Sequence, residues 1–235
     1  MKRREFLAGG LTAGTVRFGL SAWSIPPDFD DTDAALVTPP KYAIPLFNGE
    51  NLDGWVSRNG GPAKWKLENG YAEVVPGTGD IYTKETFTDF QLHVEFRLPL
   101  MADAGGQARA NSGVYLQGLY EIQVLDSYGL VPKKDDCGAI YEIAPPLRNA
   151  CKKPERWQTY DAAFRAPRFD ESGNLKEKGL ITVFQNDILI HHAQELTGKG
   201  TRASMSRDPK IPGPILLQDH GNRVRYRNVW IIPVV

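Results

Sequence analysis

Residues 118–129 read "GLYEIQVLDSYG". Tyr120, Ile122 and Val124 alternate with Glu121 and Gln123. This is the period-two pattern of a strand with one buried face. The other face then carries an acid and an amide, and the stretch ends in Asp126 and Tyr128. One short strand thus gathers groups suited to moving protons or holding hydroxyls.

The same alternation spreads outward in both directions. In "FQLHVEFRL", Leu92, Val94, Phe96 and Leu98 share one face, and His93, Glu95 and Arg97 share the other. "KWKLENGYAEVV" carries Asn69-Gly70, a hairpin signal. "GLITVFQNDILIHH" reads as a hairpin across Asn186-Asp187. "NSGVYLQG", "RWQTYDAAFR", "GPILLQDHG" and "VRYRNVWIIP" are further strands. The count is about a dozen short strands with turns between them and no amphipathic helix. That pattern predicts an all-β, antiparallel β-sandwich or jelly roll in a single domain over residues 42–235.

The chain has 235 residues, 41% hydrophobic and 24% charged, enough for one sizeable core in a soluble protein. Lys plus Arg equals Asp plus Glu at 28 each, so no net charge pulls the chain toward nucleic acid or anionic membranes. Lys2-Arg3-Arg4 precedes Phe6, Leu7 and a Gly-rich, weakly apolar stretch broken by Arg17. Residues 1–25 resemble a twin-arginine export signal, which implies a periplasmic or secreted protein. The apolar run is too short to span a membrane. Residues 26–41 are proline-rich and acidic, and read as a flexible linker.

Two cysteines, Cys137 and Cys151, stand fourteen positions apart. In an oxidising compartment the expectation is a disulfide, worth roughly 3 kcal/mol by closing a loop; the alternative is two free thiols. They fall in residues 129–156, the longest irregular stretch, and long structured loops are often functional. No phosphate loop, nucleophile elbow or His-Glu-x-x-His helix is present. His191-His192 point to opposite faces of a strand and read as a strand end at solvent. Arg223, Arg225 and Arg227 read as a solvated or ion-paired face, and Trp157 as core.

Five blocks together carry a resemblance. They are "LFNGENLDGWV", "NSGVYLQGLYEIQVLDSYG", "CGAIYEIAPP…NACKKPERWQTYDAAFRAPRFD", "ITVFQNDILIHH" and "GPILLQDHGNRVRYRNVWIIP". In this order they closely resemble the 3-keto-disaccharide hydrolase domain family over about residues 44–233. The resemblance implies a concanavalin-like β-sandwich, the jelly roll of legume lectins and laminarinase-type glucanases. Those glucanases carry Glu-x-Asp-x-x-Glu on a bulged strand, and Glu121, Gln123 and Asp126 fall at its three acidic positions. A bulge between 123 and 126 would return Asp126 to the face of Glu121. Double displacement needs two carboxyls about 5–5.5 Å apart, and an amide at 123 argues against it.

The implied substrate is a keto-glycoside, a sugar already oxidised to a ketone at carbon 3. The ketone acidifies the hydrogen on carbon 2, so a base can form an enolate and the aglycone leaves carbon 1 by elimination, with water adding back. Glu121 is the expected base, and His220 the second base or leaving-group acid. Asp126 is expected to orient His220, and Tyr128 and Tyr141 to donate to the enolate or stack on the ring. Asn111, Gln123 and Arg97 are expected to bind substrate. No cofactor is required by the motifs; a divalent cation held by Glu121, Asp126, Asp219 and His220 is an open option. The competing functions are a non-catalytic lectin-like module and a conventional glucan hydrolase.

Overall fold

The structure is a computed structural model that describes residues 32–234. The expected export signal and the first part of the linker lie outside the described residues. Fifteen strands are present among the described residues: β1 (Ile44–Phe47), β2 (Trp55–Ser57), β3 (Lys66–Glu68), β4 (Tyr71–Glu73), β5 (Ile81–Thr83), β6 (Phe90–Arg97), β7 (Ser112–Leu116) and β8 (Tyr120–Val124) in the first half. The second half adds β9 (Trp157–Arg165), β10 (Arg168–Phe169), β11 (Leu175–Glu177), β12 (Gly179–Gln185), β13 (Ile188–Leu196), β14 (Leu216–Leu217) and β15 (Arg225–Pro233). The helical content described is a single 3-10 turn at Gly106–Ala108. No helix among the described residues is long and apolar enough to cross a membrane.

Two antiparallel sheets form the sandwich. The larger runs β13-β12-β9-β6-β15-β4-β3, with β1 sharing the far edge of β15. The smaller runs β2-β5-β14-β7-β8. Both hairpins read from sequence form as expected. Asn69 and Gly70 take φ of 47° and 79°, and Asn186 and Asp187 take 50° and 63°, the left-handed values tight hairpins require. Leu92, Val94 and Phe96 of β6 face Tyr120, Ile122 and Val124 of β8 across the apolar core. The fold class is therefore the all-β antiparallel sandwich that alternation predicts.

Three expectations are corrected here. Residues 32–41 hold no strand, but the part from 32 to 37 is not a free linker. It is hydrogen bonded across the outer face of the large sheet. The Asp33 carboxylate accepts the Trp157 N–H at 2.8 Å, and the Val37 N–H donates to Glu95 Oε1 at 3.1 Å. Arg227 donates to the Ala34 carbonyl at 3.2 Å. These donors and acceptors belong to the body of the domain, so local composition could not show that the segment would be tied down.

The second correction concerns the cysteines. Cys137 and Cys151 are free, buried thiols rather than a bridge. Their side chains touch each other, yet each sulfur is engaged elsewhere as well. Cys137 Sγ lies 3.2 Å from the Tyr160 hydroxyl, and Cys151 Sγ lies 3.6 Å from the Leu125 carbonyl. Hydrogen bonds close the 129–156 loop instead. Asn149 Nδ2 donates to the Ser127 and Leu130 carbonyls at 2.6 and 2.8 Å. His191, expected at solvent, is buried and donates from Nε2 to the Gly138 carbonyl at 2.7 Å.

Candidate functional site

β8 lies last in the smaller sheet, yet all five of its residues are buried. One face packs on the core. The free edge is satisfied by the loop that follows, which removes the cost of orphaned strand groups. The Gln123 N–H donates to the Ala139 carbonyl at 2.9 Å, and the Gly138 and Tyr141 N–H groups donate to the carbonyls of Gln123 and Glu121 at 2.9 and 3.1 Å. The loop around residues 197–213 closes another side. Thr201 Oγ1 accepts the Glu121 N–H at 3.1 Å.

These walls enclose a cavity of about 290 Å³ lined by Glu121, Gln123, Asn111, Tyr141, Gln218 and His220, with Gln107 and the 202–203 backbone region at its margin. Five residues expected from sequence therefore meet in one place: Glu121, Gln123, Asn111, Tyr141 and His220. Glu121 and His220 lie ninety-nine places apart in the chain (220 less 121), and both line this hollow.

Glu121 is held by its neighbour across the hairpin. Tyr115 is its register partner and donates from its hydroxyl to Glu121 Oε2 at 2.9 Å. Gln218 Nε2 donates in turn to the Tyr115 hydroxyl at 2.9 Å. Glu121 Oε1 takes no hydrogen bond among the described residues. Room for it comes from Gly113, where an added Cβ would stand 2.5 Å from Oε1 and 2.9 Å from the Tyr115 ring. Burial pushes the Glu121 carboxyl up to about 8; the Tyr115 hydroxyl pulls it back, and the charges of Asp80 and Glu142 add to the rise. A carboxyl that holds its proton near neutrality is matched to proton transfer at that pH.

Amides line the remaining wall. Gln107, on the 3-10 turn, receives Gln123 Nε2 at 3.0 Å and Asn111 Nδ2 at 3.1 Å. Asn111 Oδ1 and Gln218 Oε1 are buried and without a partner among the described residues. Unsatisfied buried acceptors are costly, and both belong to residues that line the cavity.

Three expected residues are elsewhere. Asp126 is buried in an ion pair with Arg109 at 2.6 Å and does not line the hollow. No bulge carries it back: β8 stays in register with β7 to Val124, and the chain then leaves the strand. Tyr128 follows it out, with Lys153 Nζ 5.4 Å from its ring centre. Arg97 is on β6 of the other sheet, where its Nε donates to the Glu155 carbonyl at 2.8 Å. Among the described residues no three His, Cys, Asp or Glu side chains come together as a metal cage. With Asp126 tied to Arg109, the cation set read from sequence does not assemble, and no step is assigned to a metal.

Several site residues escaped the sequence reading: Tyr115, Gly113, Gln107, Gln218 and Asp80. Tyr115 had a signal. Gln117-Gly118 marks the hairpin, with φ of 53° and 64°, and hairpin pairing puts Tyr115 opposite Glu121. Asp80 had none, since it precedes a strand of only three residues.

A buried acid, open amide acceptors and a tyrosine around a small cavity on a β-sandwich define a carbohydrate-active or carbohydrate-binding protein. Residues 42–232 match the 3-keto-alpha-glucoside-1,2-lyase-like domain, and the chain belongs to that family. The crystal structure of a "putative glycosyl hydrolase" from Parabacteroides distasonis ATCC 8503 is similar at 34% identity and a TM-score of 0.78, covering 97% of this chain and 100% of that one. Two more crystal structures so described from the same organism, at 18% and 22% identity and TM-scores of 0.60 and 0.56, share the fold. They cover 85% and 82% of this chain and 99% of each of those chains. No curated protein matches the chain.

Proposed function

We propose that this protein cleaves 3-keto-glycosides by elimination, with Glu121 as the base. The observation that carries this reading is the Glu121 carboxyl, buried in the hollow with Oε1 unbonded above Gly113 and proton affinity raised to about 8. Oε1 takes the proton from carbon 2 of the sugar. The C–H electrons pass toward the carbon 3 ketone as an enolate, and the enolate then expels the aglycone from carbon 1. The product is an enone with a double bond between carbons 1 and 2. Water adding at carbon 1, with a proton returned at carbon 2, yields the free keto sugar. His220, exposed at the rim, protonates the departing oxygen. The Tyr141 hydroxyl donates to the enolate oxygen. Asn111 Oδ1 and Gln218 Oε1 accept from ring hydroxyls.

The family match supports this substrate class. The withdrawal of Asp126 weighs against a laminarinase-type double displacement, whose pattern needs that acid beside Glu121. A cavity of about 290 Å³ suits one sugar ring with its aglycone outside.

The test is release of a chromogenic aglycone from its 3-keto-glucoside in deuterated water. Turnover with deuterium at carbon 2 of the sugar product is expected. Binding of the keto-glucoside without release would turn the reading to a lectin-like module. Cleavage of the unoxidised glucoside, with no deuterium incorporated, would turn it to conventional hydrolysis. Export follows from the reading of residues 1–25, and is checked by finding the mature chain in the periplasm of cells with an intact twin-arginine pathway.

A further inference from the structure

Sheet register places a second carboxyl on the face of Glu121. Leu217 of β14 pairs with Ile81 of β5 and with Val114 of β7, and all three point into the core. The next residues along each strand therefore point the other way, toward the hollow. They form a row across the sheet: Asp80, Gln218, Gly113 and Gln123. The adjoining row on that face is Tyr82, Leu216, Tyr115 and Glu121. Gly113 contributes no side chain, and the Glu121 carboxyl and the Tyr115 ring lean into the place its Cβ would take.

Asp80 is firmly held there. Its Oδ1 accepts the Asp219 N–H at 3.0 Å, while Asp219 Oδ2 accepts the Gly79 N–H at 2.9 Å. This reciprocal pair locks the start of β5 to the turn that carries Gln218 and His220. Arg58 Nη1 lies 3.4 Å from Asp80 Oδ2, and the Asp80 side chain is only 13% exposed.

We propose that Asp80 is a positioning residue of this site: it stands on the sheet face that carries Glu121, in the adjoining row, and its carboxylate sets how tightly Glu121 holds a proton. The proposal rests on the reading of Glu121 as the base. The charged and titratable groups around Glu121 are Tyr115 from β7, Asp80 ahead of β5, Tyr141 and Glu142 from the edge loop, Arg202 from the 197–213 loop and His220 after β14, while Tyr226 of β15 lies on the core side, bonded to Ser112. Two of these are acids. Glu142 is at the rim, its side chain 43% exposed and paired with Arg202 at 3.4 Å, so water and a cation screen it. Asp80 is buried behind the hollow, where a like charge acts through a poorer dielectric. Burial pushes the Asp80 carboxyl up, against the pull of the Asp219 N–H and the Arg58 charge. Emptying the hollow of Asp80's charge would leave Glu121 a weaker base with an otherwise unchanged contact set.

The experiment follows the Glu121 carboxyl directly, by carbon NMR of side-chain-labelled glutamate, with Glu121→Gln used to assign the signal. Asp80→Asn retains an acceptor for the Asp219 N–H, so the turn bearing His220 keeps its lock. Its Glu121 midpoint is expected to fall by about one pH unit. Glu142→Gln is expected to move it less. The rising limb of kcat/KM against pH on a 3-keto-glucoside should shift with the NMR midpoint. A midpoint that stays at the wild-type value in Asp80→Asn, or moves no further than in Glu142→Gln, overturns the proposal. Asp80→Ser repeats the test should Asn disturb the turn, which the Asp219 and Gly221 amide signals report. The NMR arm needs no turnover, so an inactive wild-type protein would count against the proposed reaction while the titration still decides the role of Asp80.

Discussion

Two glutamates buried on opposite sides of this sandwich meet opposite fates. Glu95 sits on the outer face of the large sheet, 0% exposed, and Glu121 in the hollow of the small sheet, 3% exposed. Burial opposes ionisation at both. Around Glu95, however, the His93 ring 3.5 Å away and three donors, Asn228 at 2.7 Å, Arg227 at 2.5 Å and the Val37 N–H, outweigh it and hold the carboxyl below its ordinary range. His93 is part of the same network. Burial pulls its proton affinity down, but Asp161 and Glu95 lift it to about 9, and Trp230 stacks on it at 4.8 Å. Glu121 has one tyrosine hydroxyl and the repulsion of Asp80 and Glu142. The same side chain in the same kind of strand is a structural anion in one place and a candidate base in the other. Partners, not burial, separate the two.

The contrast breaks most sharply in Glu121→Gln. Turnover of a 3-keto-glucoside should fall by roughly 10²–10⁴-fold. Stability should move the other way. A carboxyl raised from 4.5 to about 8 favours the folded state only while protonated, so wild type loses stability as pH climbs from about 4.5 through 8. Urea melts of the variant and wild type should therefore diverge from pH 5 to pH 9, approaching a ceiling of about 5 kcal/mol. Glu95→Gln is the mirror case. Removing a buried partner leaves Arg227 without its counter-charge and His93 with Asp161 alone, for a loss of about 3–5 kcal/mol at pH 7. Because the Glu95 carboxyl is lowered, its contribution is present above about 4.5 and fades as pH falls through the folded value. Turnover per folded molecule should be unchanged, since Glu95 is across the core from the hollow.

Gly113→Ala sharpens the comparison by geometry alone. Its Cβ would stand 2.5 Å from Glu121 Oε1, so the carboxylate must shift. A displacement of that order lowers kcat by about 10²-fold, read in the same assay. Tyr115→Phe is the mildest. It removes a donor that favours the charged form, so the rising limb of kcat/KM should move to higher pH, with a stability change of about 1 kcal/mol in thermal melts.

Strand identity was legible because alternation is local: Leu92, Val94 and Phe96 fall on the core face where their spacing puts them. The chemistry of the opposite face was legible only in part. Glu121 and Gln123 reach the hollow because they belong to a strand in continuous register, whereas Asp126 lies beyond its end and turns to Arg109. His93 and Glu95 share the face opposite the core, as their spacing says, but the spacing could not show that residues 32–37, Trp157 and Trp230 cover it. The cysteine spacing was compatible with a bridge, but spacing says nothing of the competing hydrogen bonds that engage each sulfur.

What the chain's own pattern determined was an antiparallel sandwich, its two tight hairpins, and a strand that turns Glu121 and Gln123 away from the core. Short-range sterics and the burial of every second residue are enough for that. The company each acid keeps was decided by the fold. Asp80, Tyr115, Gln218 and His220 meet Glu121 from six to ninety-nine places away along the chain, through strand pairings and loop closures, and the strength of a charge depends on neighbours that only such contacts bring together.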